Sequence, residues 1–177
     1  MPKTLVTSDE KIFKETLSKK KTLILKTLYN KGGEGVIKVE KNDKNSLSKF
    51  KELISKYKVP VVIQDFVSKV SDGDKRVILI EGEPVGLINR VPKIGQYKAN
   101  LHLGGKAEIS VLTKKEQEIC KKIKPFLLEK KLIFVGIDLI DEKLSEINVT
   151  SPTGIVQIKE LTGVNVARIL WSKLLKG

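Results

Sequence analysis

Cysteine and histidine are almost missing from this sequence, which has one of each among 177 residues. The single cysteine, Cys120, cannot form a disulfide within the chain, and this is typical of a reducing compartment such as the cytoplasm. The single histidine, His102, has no acidic or serine partner at a spacing that indicates catalysis. We therefore expect a cytoplasmic protein and assign no catalytic role to His102.

Long apolar runs and aromatic residues are also scarce. No run approaches the roughly 20 residues that span a bilayer, and mixed sequence follows Met1-Pro2-Lys3 at once, unlike in a secretory signal. Aromatic residues make up 5% of the chain and are not interleaved with the lysine clusters. Proteins that bind single-stranded nucleic acid usually do interleave aromatic with basic residues. We interpret the net charge of +13 as a lysine-rich solvated surface, and we expect neither a membrane nor a nucleic acid as a partner.

The remaining composition is that of a folded protein, with 40% hydrophobic and 31% charged residues. Predicted strands in the first third are Leu23–Lys26, Val36–Val39 and Val61–Val67. The motif Thr7-x-x-Glu10 predicts a capping box for one helix, and apolar spacing between Leu47 and Tyr57 predicts another. Residues 1–67 are therefore expected to form a small α+β unit.

A second α+β unit is expected over residues 68–177. Its predicted elements are a hairpin of Arg76–Ile80 and Val85–Val91, a mobile loop over Pro92–Lys106, a helix capped by Thr113-x-x-Glu116 with Ile119, Ile123, Phe126 and Leu127 facing inward, a hairpin between Ile133 and Val149, and one last helix that carries Val164, Ala167, Leu170 and Leu174 on a stripe.

The later hairpin carries the strongest indication of chemistry. If Asp141-Glu142-Lys143 is its turn, Asp138 faces Glu146, and the strand period puts Asn148 on the same face. Like charges directly across a ladder destabilise it, whereas a divalent cation reverses the sign of that interaction. Two carboxylates and an amide oxygen suit magnesium. The alternative is a polar hairpin that faces solvent.

A glycine-rich turn after the first predicted strand is a second candidate. Gly32 and Gly33 allow backbone N–H groups to approach a phosphate closely, and Lys26 adds a positive charge. The turn joins two strands and is not a P-loop, so an ordinary hairpin turn is the alternative. The strand end Gln64-Asp65-Phe66-Val67 has backbone groups that suit an adenine edge, and it is equally consistent with a plain strand end.

The first predicted hairpin contributes two arginines, Arg76 and Arg90, which suit carboxylates or phosphates. In a simple two-residue hairpin they point to opposite faces, and only a bulge or a longer turn brings them together. The preceding Asp72-Gly73-Asp74 is either a surface turn or a site for ribose hydroxyls.

These stretches resemble the C-terminal ATP-grasp region of bacterial glutathione synthetase over nearly the whole chain. The matching stretches are Pro2–Thr7, Ile24–Lys26, Gly32-Gly33, Ser71–Val77, Gly82–Val85 and, as the most specific, Leu132–Asp138 with Glu146–Pro152. The resemblance implies an ATP-grasp fold of two α+β subdomains with ATP between them, a lid over 1–67 and a catalytic subdomain over 68–177.

The resemblance also implies roles for the candidate residues. Lys26 and the glycine turn would hold the ATP phosphates, Gln64–Val67 the adenine, and Asp74 the ribose. Magnesium, with manganese as the alternative ion, would bind Asp138, Glu146 and Asn148. Arg76 and Arg90 would hold the peptide carboxylates while γ-glutamylcysteine is phosphorylated and glycine then displaces the phosphate. The loop Pro92–Lys106 would close over the intermediate.

The sequence departs from the family pattern in several places. Lys98 and Lys106 stand where the family usually has arginines, and Thr27 and Asn30 replace a proline and a glycine. The family's N-terminal domain, which contributes to the ATP and peptide sites, is absent, so we expect little synthetase activity without a partner fragment that supplies it. A full-length protein is expected to be a homo-oligomer. Two other functions stay open: another ATP-grasp carboxylate–amine ligase, or a non-catalytic module that binds nucleotides or nucleic acids.

Overall fold

A computed structural model describes residues 1–30 and 32–175 and separates into a four-stranded unit, Met1–Ser68, and a five-stranded unit, Lys69–Gly177. All strand pairs in both sheets are antiparallel. Among the helices of the described residues, none has both the length and the apolar character that crossing a bilayer requires.

In the first unit, two helices pack against one face of the sheet. The elements are β1 (Thr4–Thr7), α1 (Glu10–Ser18), β2 (Thr22–Lys26), β3 (Ile37–Glu40), α2 (Ser46–Tyr57) and β4 (Val61–Asp65), with strand order β1-β4-β2-β3. Alternate residues such as Leu23, Leu25 and Ile63 are buried against the stacked rings of Phe13 and Phe50. The alternation leaves the other residues of each strand on the opposite face.

The capping box predicted at Thr7 is wrong. Helix α1 begins at Glu10, and Asp9 caps it by accepting hydrogen bonds from the backbone N–H groups of Lys11 (2.7 Å) and Ile12 (3.1 Å). A capping box needs its acidic side chain at the third helical position, and Glu10 occupies the first. Thr7 instead stays extended at the end of β1, a strand that the sequence patterns did not indicate, and pairs with Val61.

In the second unit, helices pack on both faces of the sheet. The elements are β5 (Asp74–Ile80), β6 (Glu83–Val91), β7 (Lys106–Glu108), α3 (Lys114–Glu129), β8 (Phe134–Ile140), β9 (Lys143–Asn148), α4 (Ile155–Thr162) and α5 (Val166–Leu174), with strand order β7-β6-β5-β8-β9. Helix α3 packs on the face that carries Val77 and Leu79. Helices α4 and α5 pack on the other face, against Ile78, Ile80 and Ile88.

The predicted capping box of α3 is confirmed, but two other helix predictions are wrong. Thr113 accepts from the backbone of Glu116, whose side chain accepts from the backbone N–H of Thr113. Phe126, predicted to face inward, is 51% exposed because the buried positions follow Cys120 and Leu127, two turns apart. The predicted last helix is α5, but Val164, which the prediction placed on it, lies before its start at Val166, and the preceding helix α4 was not predicted.

Candidate functional site

A β-bulge brings the two predicted arginines to one face of the second sheet. A two-residue turn at Glu81-Gly82 pairs Ile80 with Glu83, which by itself would put Arg76 and Arg90 on opposite faces. The register shifts between Ile78 and Leu79, so that Arg76 lies opposite Ile88 and Asp74 lies opposite Arg90. The extra residue of the bulge therefore decides the question that the sequence left open.

A second bulge sets the register of the other hairpin. Its predicted three-residue turn is wrong, because Ile140 pairs with Lys143 and only Asp141 and Glu142 form the turn, both with left-handed backbone (φ 50° and 56°). A register shift between Asp138 and Leu139 restores the expected pairing, with Asp138 opposite Glu146 and Gly136 opposite Asn148. The pleat therefore places Asp138, Glu146 and Asn148 on the face that also carries Arg76.

Four charged side chains form a buried network on this face, called here the charge network: Asp74, Arg76, Arg90 and Asp138. The Arg76 guanidinium donates to both carboxylate oxygens of Asp138, from Nε to Oδ1 (2.6 Å) and from Nη2 to Oδ2 (3.0 Å). Arg90 Nη2 lies 3.0 Å from Asp138 Oδ1 and 2.7 Å from Asp74 Oδ2. Two arginines and two aspartates balance in formal charge, which lets the group stay buried.

The pKa values of the two aspartates in the charge network are shifted in opposite directions. Burial alone would raise the pKa of Asp138, but Arg90 and Arg76 together hold it below its ordinary value. Among the described residues, the carboxyl of Asp74 accepts a side-chain hydrogen bond from Arg90 alone. Burial together with the nearby charge of Asp138 raises its pKa to about 6. Burial opposes the charge on Arg90, but Asp74 and Asp138 raise its pKa and keep it protonated. Asp138 is therefore the permanent anion of the charge network.

The segment before α4 closes over Arg76. Arg76 Nη1 donates to the backbone oxygen of Thr153 (3.1 Å), so all the guanidinium nitrogens have acceptors. A side chain at Gly136 would have its Cβ 2.7 Å from Pro152 and 3.4 Å from the Arg76 side chain. The glycine therefore permits the close approach of this segment and of Arg76 to β8.

Three residues on this face carry oxygens of the kind that a hard divalent cation prefers, and both Asp138 oxygens already accept from Arg76. Asp138, Glu146 and Asn148 offer two carboxylates and an amide oxygen. Asn148 Nδ2 is buried and has no hydrogen-bond partner among the described residues. Within residues 1–30 and 32–175 no group of three or more His, Cys, Asp or Glu side chains is placed to hold a metal, so any cation here depends on the amide and on ligand oxygens.

We predict a pH-dependent contribution of Asp74 to stability. Its folded pKa of about 6 lies above its ordinary value of 3.8, so its stabilising contribution is complete below about pH 4 and is lost as the pH rises through 6. The free energy of unfolding of the wild type minus that of Asp74→Asn is expected to fall by up to about 3 kcal/mol between pH 4 and 7. Urea unfolding of both proteins at each pH measures this, and a difference that does not change with pH would contradict it.

In the first unit, Lys26 lies on the sheet face opposite the helices. Ile24 pairs with Gln64 in β4 and with Lys38 in β3, so the pleat puts Lys26, Lys38 and Gln64 on this face. The register sets Asp65 opposite Leu23, about 10 Å along the strand from Lys26. An elongated ligand on this face would therefore meet Lys26 at one end and the end of β4 at the other.

The glycine turn that follows β2 has left-handed backbone at three of its glycines. Gly32, Gly33 and Gly35 all have left-handed φ values (69°, 79° and 68°), and the turn links two paired strands as predicted. A Cβ at Gly35 would lie 2.7 Å from the Thr27 side chain. Thr27 Oγ1 is itself buried and unpaired among the described residues, so the turn packs tightly against the end of β2.

The end of β4 keeps its side chains occupied inside the first unit. Gln64 is buried, and its Nε2 donates to Thr4 Oγ1 (3.0 Å). Asp65 pairs with Lys20 Nζ (2.8 Å), and the ring of Phe66 lies 5.0 Å from Lys38 Nζ. Val67 follows the strand and is partly exposed. The backbone of Gln64 and Asp65 is also used, because Gln64 pairs with Thr4 and Ile24 and the Asp65 N–H donates to Lys3 O (3.0 Å). Only the backbone of Phe66 and Val67, which follow the strand, lies beyond this pairing.

Lys38 is a further candidate for contact with a ligand on this face, and the sequence analysis missed it. It shares a face with Lys26, contacts the ring of Phe66 and pairs with Glu40 (3.0 Å). The alternation Ile37-Lys38-Val39-Glu40 indicates this position, because the burial of Val39 places Lys38 on the opposite face of the strand.

Comparison with known proteins gives consistent family matches. Residues 1–163 match the family described as "Prokaryotic glutathione synthetase, ATP-grasp domain". Curated relatives named glutathione synthetase include proteins of Agrobacterium fabrum (43% identical over 176 residues) and Prochlorococcus marinus subsp. pastoris (44% over 154 residues). The matches cover 99% and 87% of this chain, but 55% and 50% of the relatives. The chain therefore spans about half the length of the curated relatives that it matches.

Solved structures share the fold at low sequence identity. D-cycloserine synthetase DcsG superposes with a TM-score of 0.74 at 13% identity, covering 98% of this chain and 65% of that one. The ATP-grasp ligase PsnB, complexed with minimal precursor, Mg and ADP, gives 0.71 at 18% identity, covering 99% and 53%. The prediction of an α+β ATP-grasp fold is confirmed.

Proposed function

The chain belongs to the prokaryotic glutathione synthetase family through its ATP-grasp domain, and we propose that it is the catalytic half of a ligase that joins γ-glutamylcysteine to glycine. The cysteinyl carboxylate of γ-glutamylcysteine would accept the γ-phosphoryl group of ATP and release ADP. The amine of glycine would then attack the acyl phosphate, lose a proton and release inorganic phosphate. Family membership supports the reaction type, and the charge network supports the site.

The charge network is the observation that carries this proposal. Phosphoryl transfer to a carboxylate gathers negative charge on transferring oxygens, and fixed cations lower the barrier when they are held in place beforehand. Arg76 and Arg90 are nearly buried, and Asp138 and Asp74 hold both of them by short contacts. We assign these two arginines to the substrate carboxylates and to the acyl phosphate.

The nucleotide would be held by the remaining candidates. Lys26 and the backbone of Gly32 and Gly33 would bind the phosphates, and the backbone of Gln64–Val67 would bind the adenine. Asp74 Oδ1 is buried and has no hydrogen-bond partner among the described residues, which supports it as an acceptor for a ribose hydroxyl. Magnesium, or manganese in its place, would neutralise phosphate charge at Asp138, Glu146 and Asn148. The first unit acts in this scheme as the lid subdomain and the second as the catalytic subdomain.

Complementation tests the proposed reaction. The chain would be co-expressed with the part of the Agrobacterium relative that lies outside the match, and phosphate release and glutathione would be measured with ATP, γ-glutamylcysteine and glycine. We expect little product from the chain alone and turnover in the ordinary range of roughly 1–10³ s⁻¹ from the pair. Ordinary turnover by the chain alone would contradict its dependence on the part of the relative that lies outside the match. A pair without ligase activity towards any acceptor would contradict the function.

A different acceptor amino acid is the second candidate function. Lys98 and Lys106 occupy positions where the family usually has arginines, and lysine lacks the planar fork that binds a carboxylate at two points. Lys106 Nζ pairs with Glu108 at 3.0 Å. The same assay with alanine, serine or other amino acids in place of glycine decides between the acceptors. Salt-sensitive binding of nucleic acid without ligase activity would favour a binding module instead.

A further inference from the structure

Helix α5 has two apolar faces, and the core of the second unit uses only one of them. Val166 is buried, and Ile169 and Leu170 pack against the apolar cluster beneath α5. A second set of apolar residues lies on the outer side and is called here the outer stripe: Ala167, Trp171, Leu174 and, just after the helix, Leu175. At 100° per residue, the three helical members fall within about 60° of arc.

The outer stripe is strongly exposed. Trp171 is 62% exposed, Leu174 is 44% and Leu175 is 81%. A surface helix ordinarily keeps polar residues on the side away from its core, and an apolar second side marks a contact with another surface. Tryptophan is the residue type that most often anchors such contacts. Trp171 is the chain's one tryptophan, so the sequence concentrates its largest apolar side chain on this stripe.

We propose that the outer stripe docks the part of a glutathione synthetase polypeptide that the curated relatives carry outside the region matched by this chain. The inference rests on the proposed function. The match leaves about 45% of the Agrobacterium relative outside it, and that part is joined to the ATP-grasp region in one polypeptide. An apolar helix face of this kind is suited to a packed contact between domains.

A second copy of the chain fits the outer stripe less well. Arg168 lies beside the stripe and is exposed, and Lys173 lies on the same helix. Each chain carries a net charge of +13, so pairing two copies would bring two strongly basic chains together. This repulsion arises because the two copies are identical, and it does not apply in that form to a partner of different sequence.

Tryptophan fluorescence gives a local test, because emission from the chain reports Trp171 alone. The chain would be tagged and co-expressed with the unmatched part of the Agrobacterium relative, with that part's own tryptophans replaced by phenylalanine. The two polypeptides are expected to co-purify. Trp171 emission is then expected to shift from that of a water-exposed indole to that of a buried one, and acrylamide quenching is expected to fall.

A matched pair of variants locates the contact. Leu174→Lys places a charge within the outer stripe and is expected to weaken the association at least about tenfold, or about 1.4 kcal/mol. Ile109→Lys makes the same kind of change at another exposed apolar position (67% exposed) and is expected to leave the association unchanged. Circular dichroism of each variant alone checks that the fold is retained.

Several outcomes would overturn the docking proposal. They are failure of the two polypeptides to co-purify, equal binding by Leu174→Lys and the wild type, a blue-shifted indole in the chain alone, and a shift that grows with the concentration of the chain alone. The last would assign the stripe to a second copy. The readout needs neither ATP nor substrate, so docking without ligase activity would contradict only the proposed function, and activity without docking at the stripe would contradict only this inference.

Discussion

Replacing Asp138 by asparagine is expected to lower the free energy of unfolding of the second unit by about 3–5 kcal/mol. Asp138 accepts from two guanidinium groups, at 2.6 and 3.0 Å from Arg76 and at 3.0 Å from Arg90. The amide removes the negative charge while both arginines stay buried, so two like charges lose their shared counter-ion. Urea unfolding followed by circular dichroism measures the loss.

Glu146→Gln provides the matched control for Asp138→Asn. Glu146 lies directly opposite Asp138 on the same ribbon, but it is exposed whereas Asp138 is 4% exposed. Surface substitutions of this kind usually change stability by no more than about 0.5 kcal/mol. If the two variants lost equal stability, or if Asp138→Asn lost less than about 1 kcal/mol, the charge network would not have the structural role assigned to it.

Arg76→Lys is expected to reduce turnover by roughly 10²–10³-fold in the complemented enzyme. Lysine keeps the charge, but it cannot donate to both oxygens of Asp138 and to Thr153 from one rigid plane, as Arg76 does. The cation would therefore no longer be held where charge develops during phosphoryl transfer. The measurement is the single-turnover rate of phosphate formation at saturating substrates, together with the unfolding free energy of the variant.

Arg168→Lys makes the same substitution on the exposed surface of α5. With the complementing polypeptide at a saturating concentration, it is expected to leave turnover within about twofold of the wild type, since lysine keeps the charge and Arg168 lies beside the outer stripe and not within it. Wild-type turnover in Arg76→Lys, with a normal level of folded protein, would contradict the assignment of Arg76 to the reaction. A loss of turnover that merely follows a loss of folded protein would contradict it as well.

The sequence predicted the strands well because alternation of apolar residues directly reports burial. Leu23–Lys26 lies within β2, and the predicted strand Val61–Val67 contains β4, which ends two residues earlier at Asp65. The family motifs around Asp138 led to the fold that structural comparison confirms. The pattern did not show β1, since Leu5 and Val6 lie at a sheet edge and remain partly exposed. In β1 the alternation of buried and exposed residues is therefore not evident.

The two bulges are the features that sequence reasoning handled least well. A bulge adds one residue to one strand and inverts the faces beyond it, but no residue type announces it. For the first hairpin the relation of Arg76 to Arg90 stayed open, and the register shift between Ile78 and Leu79 brings the two together. For the second, the expected facing of Asp138 and Glu146 is observed for another reason, a two-residue turn followed by a shift.

Two other features depend on contacts between residues far apart in sequence. The charge network joins Asp74 and Asp138 through Arg90, and the sequence analysis treated these residues as separate candidates for ribose, metal and substrate. Helix α4, which the sequence analysis did not predict, ends at the left-handed backbone of Gly163, shortly before α5 begins. An isolated glycine in a helical pattern does not by itself distinguish a break from a tolerated residue.

Magnesium-dependent binding of a nucleotide to the chain tests the central assignment most directly. Calorimetric titration with a non-hydrolysable ATP analogue would be done with magnesium and with EDTA, for the wild type and for the double variant Glu146→Gln/Asn148→Ala. We predict that EDTA weakens binding to the wild type by about tenfold or more, equivalent to about 1.4 kcal/mol, and has little further effect on the variant. Equal affinity of the wild type in magnesium and in EDTA, or full magnesium dependence in the variant, would contradict a metal and nucleotide site at this ribbon.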